Sequence, residues 1–149
     1  VLSVDTEEVV TLSFHVIRPR SPDTSAYQEI EFDAIANWSR TQQQAGKKVI
    51  VIGDFNSTPW SSRFRKLLKD SNLNNSQQGY GLQTTWLANL PGSLRIPIDH
   101  CLQSQAFTVI SRQIGMNIGS DHLPLSVELG LYKPPPSPDG NIAKKERSN

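Results

Sequence analysis

The sequence predicts an α/β fold built on a mixed sheet with helices on one face, and three observations carry that expectation. Residues 9–17 alternate in polarity like a strand, residues 25–44 read as an amphipathic helix, and Val49-Ile50-Val51-Ile52 is a run of four β-branched residues. Strand, helix and buried strand in that order form a βαβ unit with its two strands parallel.

Each element has its own signal. In the first strand Val10, Leu12, Phe14 and Val16 fall on one face, and Pro19 and Pro22 end it. The helix from Ser25 to Gln44 carries Tyr27, Ile30, Ala34, Ile35 and Trp38 along one stripe, and Gly46 closes it. Lys47-Lys48 opens the next strand, whose continuous apolar run predicts burial on both faces. Ser61 is placed to cap a short helix running through Lys69 and packing through Phe64, Leu67 and Leu68. Residues 71–83, rich in Asn, Gln and Gly, read as a loop. Strand-like runs follow near 97–102, 106–113 and 123–131. The Pro-rich, then charged, stretch 133–149 predicts a disordered tail, which leaves 1–132 as the folded unit.

At 149 residues the chain is long enough for one domain with its own core. A formal net charge of +1 gives no overall footprint for a polyanion, so anion binding must come from a local cluster. Arg18 and Arg20 are candidates, together with Arg63, Arg65, Lys66 and Lys69, although solvation of a helix surface explains the second group equally well. Cys101 is the only cysteine, which excludes an internal disulfide, and its apolar surroundings read as packing. No stretch is apolar enough to span a membrane, and no signal-peptide pattern is present.

The chemistry-bearing residues sit at strand ends. Asp54 and Asn56, two apart in Gly53-Asp54-Phe55-Asn56-Ser57-Thr58-Pro59, can point the same way just past the buried strand; an Asx turn accounts for them equally. Asp99 interrupts the apolar run Ile96 to Leu102, and Asp121-His122 stands between Gly119-Ser120 and a strand-like Leu125 to Leu129. A carboxylate placed among apolar residues needs a partner or a metal. Three carboxylates, a carboxamide and a histidine so placed point to one convergent site at a sheet edge.

These motifs resemble the endonuclease/exonuclease/phosphatase superfamily of metal-dependent phosphoesterases. Gly53-Asp54-Phe55-Asn56 matches its G-D-F/L-N motif, Ile98-Asp99-His100 its I-D-Y/H segment, and Ser120-Asp121-His122 its terminal S-D-H. Thr85-Trp86 and Arg95-Ile96 resemble the lead-in to the middle segment, and His15 stands where many members carry an active-site histidine or tyrosine. The motifs fall in family order over residues 14–129. Arg18-Pro19, the run Asp54 to Ser61, and Arg95 to His100 are closest in flavour to bacterial members attached to an N-terminal membrane segment. On that basis the parent protein is expected to be membrane-anchored and extracytoplasmic.

The resemblance implies roles. Asp54 corresponds to the water-orienting base, Asn56 donates to the phosphate, and His122 bonds a phosphoryl oxygen while Asp99 orients its ring. His15 assists on the leaving-group side, and Asp121 is the metal ligand, suited to Mg²⁺ or Mn²⁺. Arg18 and Arg95 either contact phosphate or pair structurally. His100 should face away from the site, since it follows Asp99 on a strand.

The family's sandwich of two similar α/β halves is usually about twice this length, and its principal metal-binding Glu, with an Asn before it, lies in the first half. Glu7 and Glu8 read as an exposed turn and do not fill that role. The chain therefore resembles the C-terminal half of a four-layer α/β sandwich. It is expected to need the other half as a partner, to hold a metal weakly or not at all, and to have little activity alone. A bared sheet face is expected to favour a homodimer. The substrate class is a phosphoester: DNA, a lipid phosphate or a small molecule. The alternative is a catalytically silent binding or interaction module on the same fold.

Overall fold

A computed structural model describes residues 2–4 and 7–132. The expected disordered tail, 133–149, lies outside the described residues.

Five strands form one mixed sheet in the order β1-β2-β3-β5-β4, with β1 Leu2–Val4, β2 Glu7–His15, β3 Lys48–Asp54, β4 Asn74–Asn75 and β5 Asp99–Gln103. Strands β2 and β3 are parallel and flank the α1 crossover, Pro22–Gln44, as the βαβ reading requires; β5 runs antiparallel to β3. Helix α2, Ser62–Ser71, packs beside α1 on the same face. A separate antiparallel pair, β6 Phe107–Ile114 and β7 Leu125–Leu131, follows. Among the described residues no helix is long and apolar enough to cross a membrane.

The core lies between the helices and one sheet face. Val10, Val16, Val49, Val51 and Leu102 meet Phe32, Ile35 and Ala36 of α1 and Phe64 and Leu67 of α2. Phe55 is at its centre, fully buried, with ring centroids 4.7 Å from Phe14 and 5.5 Å from Phe64, both edge-on. Burying such a ring contributes about 1.5–3 kcal/mol. Since Phe55 lies between Asp54 and Asn56, the same burial pins both polar neighbours to the end of β3.

Four expectations change. Helix α1 starts at Pro22, three residues earlier than its periodicity suggested, because Ser21 and Thr24 form a reciprocal cap and proline suits a first helical position. Its buried face is Gln28, Phe32, Ile35, Ala36 and Ser39, whereas Tyr27 and Ile30 of the expected stripe are 59 % and 63 % exposed. Strand β3 is fully buried only on the helix side, at Val49 and Val51; Ile50 and Ile52 are half-buried on the other face, where Leu123, Pro124 and Leu125 line a crevice beside Ile52. Helix α2 runs two residues past Lys69 and stops at Asn72, which takes a left-handed φ of 55°.

Register sets up the site. His15 stands opposite Asp54, and Asp54 opposite Asp99, so three polar residues form a row across β2, β3 and β5. Gly53, just before Asp54, is required: a Cβ there would lie 2.0 Å from the Phe14 carbonyl oxygen.

Candidate active site

Cross-strand neighbours share a face, so His15, Asp54 and Asp99 all project from the sheet side opposite the helices. Asp54 Oδ1 accepts the Asn56 N–H at 2.7 Å, which closes an Asx turn. Its Oδ2 lies 3.3 Å from His15 Nε2 and 3.8 Å from His122 Nε2. His122 Nδ1 meets Asp99 Oδ2 at 2.8 Å, so this nitrogen donates and Nε2 is left facing Asp54. Burial raises the Asp54 pKa above the ordinary carboxylate range; the Asp99 charge adds to the rise, while the Asn56 N–H and both histidines oppose it.

His122 reaches this row through Thr85-Trp86. Thr85, fully buried, accepts the Leu123 N–H on its carbonyl at 2.7 Å and the Asp99 N–H on Oγ1 at 3.3 Å. One residue thus ties the strand of Asp99 to the segment of His122. The Ala88 N–H bonds the Asp121 carbonyl at 2.9 Å, and the His122 N–H bonds Ser120 Oγ at 3.1 Å.

The loop after β3 is held from below. Asn56 has a left-handed φ of 45°, an uncommon conformation outside glycine. Its Nδ2 donates to the Val16 carbonyl at 2.8 Å and lies 3.1 Å from His15 Nε2. Gln28, 1 % exposed, directs Nε2 at the carbonyls of Ile17, Phe55 and Asn56 at 3.3, 3.4 and 3.2 Å. His100 points into the core, as alternation places it, and its Nε2 donates to the Ser57 carbonyl at 2.9 Å. Burial lowers its pKa to about 4, so the ring is neutral.

Above the row is a cleft of about 220 Å³ lined by His15, Arg18, Arg20, Asp54, Asn56, Trp86, Asp121 and His122. The Arg18 guanidinium stacks 4.1 Å over the Trp86 ring, which fixes a cation at the rim. Of the second basic group, Arg63 pairs with Glu29, and Lys66 with Asp33 and Asp70. Arg95 is outside the cleft, its Nε donating to the Leu90 carbonyl at 2.7 Å. Cys101 is buried, its thiol pushed up to about 11, in keeping with packing.

Asp54, Asp99 and His122 each bring one donor atom within 4.8 Å of the others, and two carboxylates with an imidazole suit a divalent cation. Asp121, the expected ligand, is exposed on the cleft rim and outside this cluster. Glu7 and Glu8 belong to β2, not to a turn, and pair with Lys48 and Lys47 at the opposite end of the sheet.

Sequence reasoning missed Gln28, which looks like a polar-face residue. Its one signal is spacing, four before Phe32 and seven before Ile35, on the face that is buried.

The chain resembles several solved structures at low identity. The human Nocturnin catalytic domain is 23 % identical with a TM-score of 0.63, over 80 % of this chain and 46 % of that one. A 3′ phosphatase from Neisseria, solved with a product DNA hairpin, is 21 % identical with a TM-score of 0.65, over 86 % and 63 %. A mannosyl-6-phosphatase from Bacteroides thetaiotaomicron is 18 % identical with a TM-score of 0.60, over 85 % and 53 %. At such identities the likeness establishes the fold, and the chain spans about half the length of these structures. Among curated proteins none matches. The model of the endonuclease/exonuclease/phosphatase family matches residues 2–122, a span that holds the His15–Asp54–Asp99 row and His122. The chain belongs to the endonuclease/exonuclease/phosphatase family.

Proposed function

We propose that this chain is the C-terminal half of the catalytic domain of a divalent-metal-dependent phosphoester hydrolase. The observation that carries the reading is His122, held by Asp99 at 2.8 Å with its free nitrogen facing Asp54 under a rim of arginines.

Asp54 takes the proton of the attacking water. Burial already lifts its pKa, which makes the carboxylate a better base near neutral pH. As the water oxygen bonds to phosphorus, the bond to the leaving oxygen breaks. His122, oriented by Asp99, donates from Nε2 to a phosphoryl oxygen as charge builds there. Arg18, fixed on Trp86, and Arg20 attract the phosphate. Asn56 keeps His15 and the turn in place through Nδ2, and His15, exposed beside Asp54, stands on the leaving-group side. Mg²⁺ or Mn²⁺ held by the Asp54 and Asp99 carboxylates, with Asp121 at the rim, would neutralise phosphoryl charge.

The shared chemistry is a phosphoester, whether on DNA, a lipid or a sugar. The neighbours named above include one enzyme solved with DNA and one named for a sugar phosphate. Bis-(p-nitrophenyl) phosphate and p-nitrophenyl phosphate, offered with Mg²⁺ or Mn²⁺ to the chain and to the longest protein that contains it, test the reading. In the longer protein, metal-dependent release should fall by about 10²–10⁴-fold in Asp54→Ala and in His122→Ala. Turnover indifferent to both substitutions would refute the assignment. Absence of turnover on any phosphoester by the intact longer protein would favour the silent binding module.

A further inference from the structure

A concavity of about 360 Å³ lies at the β4 end of the main sheet, the edge opposite β1. Pro59 and Trp60 form one wall, Gln77, Gln78 and Leu82 the other, and Asn75 of β4 joins them. Both walls continue the active-site cleft along the chain. Trp60 comes four residues after Asn56, and Leu82 four before Trp86. Consecutive Cα atoms are about 3.8 Å apart, so each wall is within about 15 Å of a residue that lines the cleft.

Both walls are also fixed in shape. Thr58-Pro59-Trp60-Ser61 is a turn closed by the Ser61 N–H on the Thr58 carbonyl at 3.0 Å, with proline in its favoured second position. It holds the Trp60 indole outward, 57 % exposed. The loop opposite is pinned through Gln77, whose N–H donates to Asn75 Oδ1 at 3.0 Å and whose Nε2 donates to the Gly81 carbonyl at 3.1 Å. Arg112 of β6, 3 % exposed, donates to Ser76 Oγ and Gln83 Oε1 and so ties both ends of this loop to the fold. Leu82 is left 67 % exposed on that frame. Gln77 itself is 9 % exposed, and its Oε1 has no partner among the described residues. A buried acceptor left unmet is unfavourable, and a donor entering from the groove relieves it.

The lining selects the ligand. No charged side chain is part of it, whereas a single-stranded nucleic acid needs a positively charged groove along its backbone. An apolar peptide segment would cover the Gln78 amide and Gln77 Oε1 without meeting either. A pyranose ring meets every feature: its C–H face lies on the indole, and its hydroxyls, each both donor and acceptor, reach the amides. The volume is at the small end of ligand pockets, about 300–1,000 Å³, which suits a small ligand and not a protein segment. We propose that this groove is a sugar-binding subsite, taking a hexopyranose ring of the organic group whose phosphate enters the cleft. In tying the ring to that phosphate the proposal rests on the phosphoester reading; the binding of the ring does not.

The test titrates the full chain with maltose, cellobiose and purine, a flat ring without hydroxyls, and follows the Trp60 indole N–H and the amides of 76–83 by NMR. A disaccharide should shift these resonances saturably, with half-saturation on the order of millimolar. Trp60→Leu, apolar but without a flat face, should weaken binding about tenfold. Gln78→Ala, on the exposed part of the loop, should weaken it several-fold and keeps the test open if Trp60→Leu disturbs the turn. Shifts with purine alone, no shift with either sugar, or undiminished binding in whichever variants fold would overturn the proposal. In the longer protein, Trp60→Leu should lower kcat/KM for maltose 6′-phosphate about tenfold more than for p-nitrophenyl phosphate, which carries no sugar. Equal loss on both would overturn the link to the cleft. Sugar binding without turnover of any phosphoester would uphold the site and count against the hydrolase alone.

Discussion

The Gln28 amide reaches carbonyls at two strand exits, Ile17 after β2 and Phe55 and Asn56 after β3, from inside the core. Removing that donor leaves buried acceptors unmet, at a cost of about 1–3 kcal/mol. Gln28→Met, of similar shape and without the donor, should therefore lower the urea midpoint and speed amide exchange around Asn56 more than across β3. Uniform exchange changes would mean that Gln28 merely fills space. Gly53→Ala should be worse, because the obstructing atom is the backbone oxygen of Phe14 and not a side-chain tip. A loss of more than about 2 kcal/mol is expected, with the imidazole resonance of His15 displaced; a variant as stable as the parent would show that the two strands part at little cost. At this scale the motif residues were legible because carboxylates at the ends of apolar runs need partners, and Asp54, Asp99 and His122 do find one another. Gln28 was hidden because its work lies in backbone carbonyls, which the sequence does not mark. Arg95 was legible only as a cation, and a backbone carbonyl claimed it.

Strand β5 divides two tasks by alternation alone. Asp99 goes to the cleft and His100 to the core, where it packs against Phe55 and Phe64 and bonds the Ser57 carbonyl. Burial holds the His100 pKa near about 4 against an ordinary 6.5. A depressed folded value means the contribution is fully present above the unfolded pKa and is lost as pH falls through the folded one. Stability should thus drop by about 3 kcal/mol between pH 6.5 and 4, each pKa unit being about 1.4 kcal/mol. Urea midpoints at pH 7.5 and 4.5 measure the drop, and His100→Gln, which does not titrate, should flatten it; an equal slope in both proteins would place the acid sensitivity elsewhere. The βαβ unit was legible at this scale because β3 is a continuous apolar run between a glycine-closed helix and a polar turn. The orientation of α1 was not. Tyr27 and Ile30 of its most apolar stripe are more than half exposed, while Gln28 and Ser39 lie on its buried face. The two-residue β4 is too short to leave any periodicity, and it exists through its pairing with β5.

At the scale of the whole molecule, the balance of ligand charge decides what the chain does by itself. The cluster that suits a divalent ion contains two carboxylates and one imidazole, and Asp99 is already engaged by His122 at 2.8 Å. Glu7 and Glu8 are paired at the far end of the sheet, so they add nothing there. Hard cations are held more tightly as ligand number and charge rise, and sparse oxygen sites fall to dissociation constants on the order of 10⁻⁴–10⁻³ M. The chain alone should therefore bind Mn²⁺ in that range, and Asp54→Asn should weaken it further by removing a carboxylate. Paramagnetic broadening of the His122 and His15 ring resonances during a Mn²⁺ titration follows the site directly, without any turnover. Broadening should set in on both rings together, because Asp54 stands between them at 3.3 and 3.8 Å. Micromolar affinity in the isolated chain would mean that it completes a metal site from its own residues. Broadening that spares both rings would put the ion elsewhere, with the Asp54 row serving as a hydrogen-bonded acid–base cluster only. Hydrolysis follows the same logic: the row can orient a water and a phosphate, but a loosely held ion leaves phosphoryl charge unneutralised. Turnover by the chain alone should accordingly be slight, and should rise with Mn²⁺ concentration through the same range that broadens the rings.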